Sequence, residues 1–164
     1  MRHTLVRDGV VAGIIGATAV ALWFLGVDML YAHAFATPAA LGRGLLRLLG
    51  PPGMEGTVTF VVAYTIFHFL SFIAAGLLVS VIVYWAQSAP TVLAGAMMLF
   101  VVFEIGFYGM SSALQESPFL GALGWAQVAT GNLIAALVMG TYMWRSHPEL
   151  KSELNYALGG GEIQ

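Results

Sequence analysis

Long apolar runs are the feature that most constrains how this chain can fold. Several of them reach the roughly 18 to 20 residues that a helix needs to cross about 30 Å of hydrocarbon at about 1.5 Å per residue. Of the 164 residues, 59% are hydrophobic and only 9% are charged, whereas a soluble domain carries roughly 25% charged residues. The mean hydropathy is +0.86. The sequence therefore predicts an all-α integral membrane protein.

Four membrane-spanning helices are predicted, at about residues 10–35, 58–85, 91–113 and 120–144. The linkers that follow the second and third spans are short, and each contains a proline. Neighbouring spans joined by such linkers should pack antiparallel. We therefore expect residues 1–145 to form a four-helix up-and-down bundle.

The first linker has the signature of a short amphipathic helix over about residues 38–49. Thr37 is the predicted N-cap and Pro38 the first helical residue. Arg43 and Arg47 share one face, opposite a set of leucines, so we expect an interfacial helix that lies on the membrane surface. The alternative is an ordinary polar loop without a membrane role, which the leucine content disfavours.

The distribution of charge predicts orientation and excludes some partners. Arg2 and Arg7 precede the first span, and Arg145 and Lys151 follow the last one, which favours a multi-pass inner-membrane protein with both termini in the cytoplasm. The arginines of the first linker oppose this orientation. Residues 146–164 are predicted to be an amphipathic and partly flexible tail. A net charge of −2 without a basic stripe gives no reason to expect nucleic acid as a partner.

Small residues predict where helices approach closely in lipid. In the first span Gly9 and Gly13 form a GxxxG pattern, Ala12 and Gly16 repeat its spacing, and Ala17 continues the same surface. The fourth span carries a comparable seam of Gly131, Ala135, Ala136 and Gly140. Such seams serve either contact within the bundle or self-association, and the sequence leaves both open.

Three ionisable residues are the candidate functional group: Asp28, His68 and Glu104, one from each of the first three spans. A charged group inside hydrocarbon costs about 2.5 to 3.5 kcal/mol on insertion scales, so each one suggests a function. Counted from the span ends, all three lie at a similar depth of roughly 12 to 16 Å. We therefore predict a shared polar cluster, supported by Tyr64, Tyr108, Gln127 and Asn132.

Three interpretations of this cluster remain open. It can be structural, a network that fixes the order and rotation of the helices. It can bind a metal through the imidazole and the two carboxylates, a ligand set that suits zinc, iron or manganese better than copper(I). It can relay protons or hold a quinone-like headgroup. The Glu-x-x-His pairs of di-iron bundles are absent from the sequence.

Haem and common catalytic sites are disfavoured. The chain has no cysteine, which excludes c-type haem, disulfides and thiolate metal sites. Ligation of b-type haem by His33 and His68 is disfavoured because their predicted depths differ by about 12 Å. His3 and His147 lie outside the predicted spans and are expected to be solvated. No G-x-S-x-G, H-E-x-x-H or phosphate-binding loop occurs, so enzymatic activity is left undecided.

Two sequence elements carry a resemblance. A Trp-Phe-Leu-x-x-Asp element ends at Asp28, and a Thr-Pro-x-x-Leu-Gly linker begins at Thr37. With the later spans that bear histidine and glutamate, they resemble a group of small bacterial inner-membrane proteins to which no activity is assigned. The likeness covers most of the chain. It implies a four-helix membrane protein and transfers no functional residue.

Two functional classes follow from the sequence. The favoured one is an accessory or structural subunit of a larger membrane assembly, with an energy-transducing complex as one candidate, because short linkers and a compact tail leave no room for a soluble catalytic domain. Its partners would be the lipid bilayer and either other membrane subunits or further copies of the chain. The alternative is an independent metal, redox, quinone or proton-handling protein that uses Asp28, His68 and Glu104.

Overall fold

The computed structural model describes residues 2–31, 33–49, 56–86, 101, 105 and 125–148. These residues form four α-helices and no strand: α1 (Arg2–Leu30), α2 (Ala36–Leu49), α3 (Thr57–Ala86) and α4 (Trp125–Ser146). The prediction of an all-helical fold is confirmed for this part of the chain. Apart from residues 101 and 105, the predicted span 91–113 lies outside the described residues, as does the tail from residue 149.

Two of the described helices are long and apolar enough to cross a membrane, over Thr4–Leu30 and Thr57–Ala86. The criterion concerns length and composition alone, and core helices of soluble proteins or signal sequences can also meet it. At about 1.5 Å per residue, each helix is roughly 40 Å long, which exceeds the hydrocarbon thickness. The coarse prediction of apolar helices of membrane-spanning length therefore holds for these two segments.

Helix α1 packs against both α3 and α4, and glycine allows the close approach. A Cβ atom at Gly13 would overlap the backbone of Phe72 and Ile73 on α3, and one at Gly9 would lie 2.8 Å from Cα of Leu77. On the other side, a Cβ at Gly16 would lie 2.5 Å from Sδ of Met139 on α4. All three glycines of the predicted seam thus contact other helices of the same chain.

The order of these contacts fixes helix direction. Along α1, Gly9 meets Leu77 while Gly13 meets Phe72, so α1 and α3 are antiparallel. Gly16 contacts Met139 of α4. Trp23 lies further along α1 and contacts Gly131, where an added Cβ would be 3.2 Å from the Trp23 side chain. Helices α1 and α4 are therefore antiparallel as well, and α3 and α4 run in the same direction. The buried core between the three helices includes Ala12, Val83, Ala86, Met139 and Met143.

The short helix α2 packs against α3. A Cβ at Gly42 would overlap the backbone of Phe60, and the Arg43 guanidinium lies over the Phe60 ring, 5.2 Å from its centroid. This is a cation–π distance. Both Arg43 and Arg47 are exposed, so Arg43 contacts the Phe60 ring while remaining accessible at the surface of the protein.

The junction between α1 and α2 differs from the sequence prediction. Helix α1 ends at Leu30, five residues before the predicted end of the first span. Phe35 has a φ of 65°, in the left-handed region that bulky side chains rarely occupy. Its carbonyl accepts the Ala39 N–H at 3.1 Å, so Phe35 occupies the N-cap position that was predicted for Thr37.

Candidate functional site

Asp28 connects the end of α1 to the start of α2. Its side chain is 5% exposed, and both carboxylate oxygens accept hydrogen bonds from Thr37. The Thr37 N–H donates to Oδ2 at 2.9 Å, and the Thr37 hydroxyl donates to Oδ1 at 2.6 Å. Because the first N–H groups of a helix have no partner within the helix, this carboxylate caps α2 from outside. The negative charge also lies at the helix end that favours it.

His68 connects α3 to the middle of α1. It is 8% exposed, and its Nε2 lies 3.0 Å from the Ala17 carbonyl oxygen. A carbonyl oxygen can only accept, so Nε2 carries the proton of this bond. Three aromatic rings surround the imidazole: Phe72 at 4.7 Å between centroids, Tyr64 at 5.6 Å and Phe69 at 5.8 Å.

Residue counting from the span ends places Asp28 and His68 at a similar depth, but in the structure they lie at different levels of the bundle. His68 bonds to Ala17, which precedes Asp28 by 11 residues on α1, or roughly 16 Å along the axis. The depth count assumed that α1 continues to residue 35, whereas the helix ends at Leu30. Asp28 therefore lies in the last turn of α1, near the start of α3.

One cavity nevertheless includes both side chains in its wall. It lies between α1, the α1–α2 junction and α3, and its volume is about 170 Å³. The polar residues in its wall are Asp28, Thr37, Tyr64, Thr65 and His68, and the rest of the wall is apolar or aromatic. Concave, mostly apolar sites with a few polar groups are typical of small-molecule sites, so this cavity is the candidate functional site.

The other predicted site residues are distributed differently. Tyr64 lines the cavity beside His68. Gln127 and Asn132 lie on α4, which contributes no described residue to the cavity wall. The Gln127 backbone carbonyl accepts a hydrogen bond from Trp23 Nε1 at 2.9 Å, and Asn132 is half-buried. Glu104 and Tyr108 lie outside the described residues.

A metal centre is not formed by the described residues alone, because they contain no cluster of three or more His, Asp or Glu side chains. Two of the candidate metal ligands, Asp28 and His68, are described, and both make hydrogen bonds within the protein. Both Asp28 oxygens accept from Thr37, and His68 Nε2 faces the Ala17 carbonyl. A metal at this place would need Nδ1 of His68 and ligands from elsewhere. The described geometry matches the structural interpretation of these two residues most closely.

A second buried polar group lies at the opposite end of α1. Asp8 is 4% exposed. Its Oδ1 lies 3.2 Å from Nε of Arg7 and accepts the Tyr142 hydroxyl at 3.4 Å, while Oδ2 lies 3.8 Å from Nε2 of His147. Nearby, the Ser80 hydroxyl donates to the Leu5 carbonyl at 2.8 Å. This Asp8 group joins the N-terminal part of α1 to the end of α4.

Sequence reasoning missed the Asp8 group because it placed Asp8 and His147 outside the spans. The expectation that His147 is solvated is wrong, because its side chain is only 17% exposed and its Nδ1 lies 3.2 Å from the Met143 carbonyl. The sequence feature that could have predicted the burial of Asp8 is its position directly before the seam of Gly9 and Gly13. A seam that brings backbones together also buries the residue beside it.

Comparison with known proteins gives no further assignment: no protein-family model matches this chain, and neither a curated protein nor a solved structure shows significant similarity to it.

Proposed function

We propose that this chain is a multi-pass inner-membrane protein that acts as an accessory or structural subunit of a larger membrane assembly. One observation carries the proposal: each buried ionisable side chain among the described residues bonds to a neighbouring structural element. Asp28 holds α2, His68 holds α1 against α3, and Asp8 holds α4. Groups arranged in this way stabilise an architecture.

Exposed apolar side chains support insertion into a membrane. Only 22% of the apolar window in α3 is buried. Large side chains project from the outer faces of α1, α3 and α4 with half or more of their surface exposed, among them Leu22, Val62, Ile66, Leu70 and Leu137. Contiguous apolar surface of this kind is rare on soluble monomers and marks contact with lipid or with partner proteins.

Helix direction supports the four-span topology. Because α3 and α4 run in the same direction, the end of α3 and the start of α4 lie at opposite ends of the described helices. The predicted span over residues 91–113 would connect these two ends, and the bundle would then alternate up and down. The basic residues that flank α1 and α4 favour a cytoplasmic location for both termini.

The outer face of α4 is the surface that we assign to a partner subunit. Gly131, Ala135 and Met139 face α1 or the core. Ala136 and Gly140 lie on the other side and are exposed, and within the described part of the chain nothing lies within 4 Å of a Cβ placed at Gly140. Small residues four apart allow a second transmembrane helix to approach closely.

The test is a comparison of Gly140→Leu with Gly13→Leu in the full-length chain. In membranes solubilised with a mild detergent, native electrophoresis and quantitative mass spectrometry should show the wild-type chain in a larger particle of fixed stoichiometry. Gly140→Leu should release the chain from this particle and leave its thermal stability in detergent unchanged. Gly13→Leu should lower thermal stability, because the leucine would overlap the backbone of Phe72.

Two results would contradict this proposal. One is a wild-type chain that migrates alone as a monomer after gentle solubilisation from its own membrane. The other is a Gly140→Leu variant that keeps its assembly and loses thermal stability, which would place the outer face of α4 inside the bundle of this chain.

A second candidate function is favoured by the cavity that Asp28 and His68 share. It is metal binding, or the handling of redox equivalents, quinones or protons, with Glu104 as the third group. Elemental analysis of the purified protein for zinc, iron and manganese tests the metal, together with Asp28→Asn, His68→Ala and Glu104→Gln. Stoichiometric metal that each substitution removes would support this function. Absence of metal, with effects on thermal stability alone, would favour the structural role.

A further inference from the structure

The geometry points to a binding site for a small, neutral, hydroxylated aromatic ring of the phenol type in the cavity beside His68. The site would exist whether or not the chain is a subunit of an assembly, so it goes beyond the proposed subunit role. Three observations lead to it: the hydrogen-bonding state of His68, the size of the cavity and the composition of its wall.

His68 provides the hydrogen-bond acceptor. An uncharged imidazole carries one ring proton, and Nε2 uses it to bond to the Ala17 carbonyl. Nδ1 then keeps its lone pair, and it has no hydrogen-bond partner in the part of the chain that the structure describes. A buried acceptor without a partner is costly. A hydroxyl group in the cavity would satisfy it by donating a hydrogen bond to Nδ1.

The cavity volume sets the size of the ligand. At about 170 Å³ it is close to the roughly 150 Å³ of an engineered apolar cavity that binds benzene. It is smaller than the sites of about 300 Å³ or more that hold drug-sized molecules. A single six-membered ring with one small substituent fits this volume.

The wall favours a neutral aromatic molecule. Phe24, Phe69 and Tyr64 present aromatic rings to the cavity, and aromatic pairs gain about 0.5 to 1.5 kcal/mol beyond the burial of area. No lysine or arginine is among the described lining residues, and the single carboxylate, on Asp28, is engaged by Thr37. An anionic ligand would therefore have no countercharge.

Access is available from the side of the bundle. Leu22 is 62% exposed and lines the cavity, and Thr65, on the facing helix, is also exposed. The cavity wall therefore includes residues that are exposed on the surface that we assign to lipid. Neutral phenols dissolve in the bilayer and could reach the cavity from there.

The direct test is nitrogen NMR of the full-length protein in detergent micelles, with ¹⁵N-labelled histidine. Addition of phenol should move the Nδ1 resonance of His68 saturably, because a new hydrogen bond forms at that atom. Benzene, which lacks the hydroxyl, should fill the same space and leave the Nδ1 resonance nearly unchanged. The exposed His33, whose Nδ1 lies 2.9 Å from the Tyr31 carbonyl, is the internal reference. The variant His68→Phe identifies the resonance.

A matched pair of variants tests the location. Val61 lines the cavity and Val62, its neighbour on α3, is 51% exposed. Val61→Phe should fill the cavity and weaken phenol binding by about tenfold or more, which corresponds to about 1.4 kcal/mol. Val62→Phe adds the same ring on the outer face and should leave binding within about twofold.

Three outcomes would overturn the assignment: no saturable phenol-dependent shift at His68, an equal shift with benzene, or equal effects of Val61→Phe and Val62→Phe. The subunit proposal is separable, because its test measures assembly through Gly140→Leu, on a helix that contributes no described residue to the cavity. Phenol binding by a chain that migrates alone would support the binding site and contradict the subunit role.

Discussion

An aspartate is buried near each end of α1, and the two carboxylates make different kinds of interaction. Asp8 is 4% exposed and faces cationic or ionisable partners, Arg7 and His147, as well as the Tyr142 hydroxyl. Asp28 is 5% exposed and, among the described residues, accepts from the neutral hydroxyl and N–H of Thr37. The same residue type in the same helix thus acts by charge at one end and by helix capping at the other.

This difference shows that the burial of a carboxylate does not by itself identify the structural role of that residue. The Asp8 group depends on Coulomb attraction and responds to salt, because Arg7 is 72% exposed. The Asp28 cap depends on two short hydrogen bonds to the first turn of one helix and should be largely independent of salt. The predictions below separate these two behaviours, from the largest expected effect to the smallest.

The largest effect is expected for Asp28→Ala. The substitution removes both acceptors from Thr37 and leaves the first turn of α2 uncapped, which should lower the free energy of unfolding by about 2 kcal/mol. Hydrogen exchange should accelerate in the first turn of α2. Asp28→Asn keeps one acceptor oxygen and should lose less. Unchanged exchange in α2 would show that the carboxylate does not cap this helix.

A smaller effect, about 1 kcal/mol, is expected for Asp8→Ala, because its contact with His147 is long and that with Arg7 is exposed to solvent. Its distinguishing property is salt dependence. The difference in thermal stability between the wild type and Asp8→Ala should shrink as salt concentration rises, whereas the difference for Asp28→Ala should stay constant. Parallel salt dependence of both variants would remove the distinction between the two ends.

Trp23→Phe tests the region between the two aspartates and should cost about 0.5 to 1.5 kcal/mol. It removes the hydrogen bond from Nε1 to the Gln127 carbonyl and keeps an aromatic ring in place. Hydrogen exchange should accelerate at the start of α4 and remain unchanged in α2. Acceleration in α2 would show that α4 and α2 are coupled through α1.

The smallest effect is expected for Arg7→Ala, roughly 0 to 0.5 kcal/mol, because ion pairs of exposed side chains contribute little. His147→Ala is the informative companion, since that imidazole is largely buried beside Asp8. Thermal unfolding should show a larger loss for His147→Ala than for Arg7→Ala. The reverse order would mean that the exposed arginine, rather than the histidine, holds the Asp8 group together.

The sequence predicted the helices better than the contacts between them. Hydropathy places α1 and α3 because their apolar runs exceed the length of a membrane span, and the amphipathic pattern indicates α2. The end of α1 could not be predicted from hydropathy, which treats residues 31–35 as a continuation of the helix. In the structure α1 ends at Leu30, and Asp28 in its last turn bonds to Thr37 at the start of α2.

The candidate site shows the same limit. Asp28, His68 and Tyr64 follow from the cost of polar groups in an apolar helix. The partners of Asp28 and His68 do not, because Ala17 and Thr37 offer backbone or hydroxyl groups that occur throughout the chain. Which of these groups meets a buried side chain depends on the register between helices. In that register Gly13 and Gly76 approach closely and His68 meets Ala17 in the middle of α1. Asp28 lies at another level because α1 ends at Leu30.

The position of α1 has a consequence for biosynthesis. Helices α3 and α4 each pack on α1 along much of their length and have little contact with one another. When α1 leaves the ribosome, the helices that cover its glycine faces have not yet been synthesised, and neither have Thr37, Tyr142 and His147, which contact its two aspartates. Until α3 and α4 follow, the glycine faces of α1 therefore lack the helices that cover them in the folded chain.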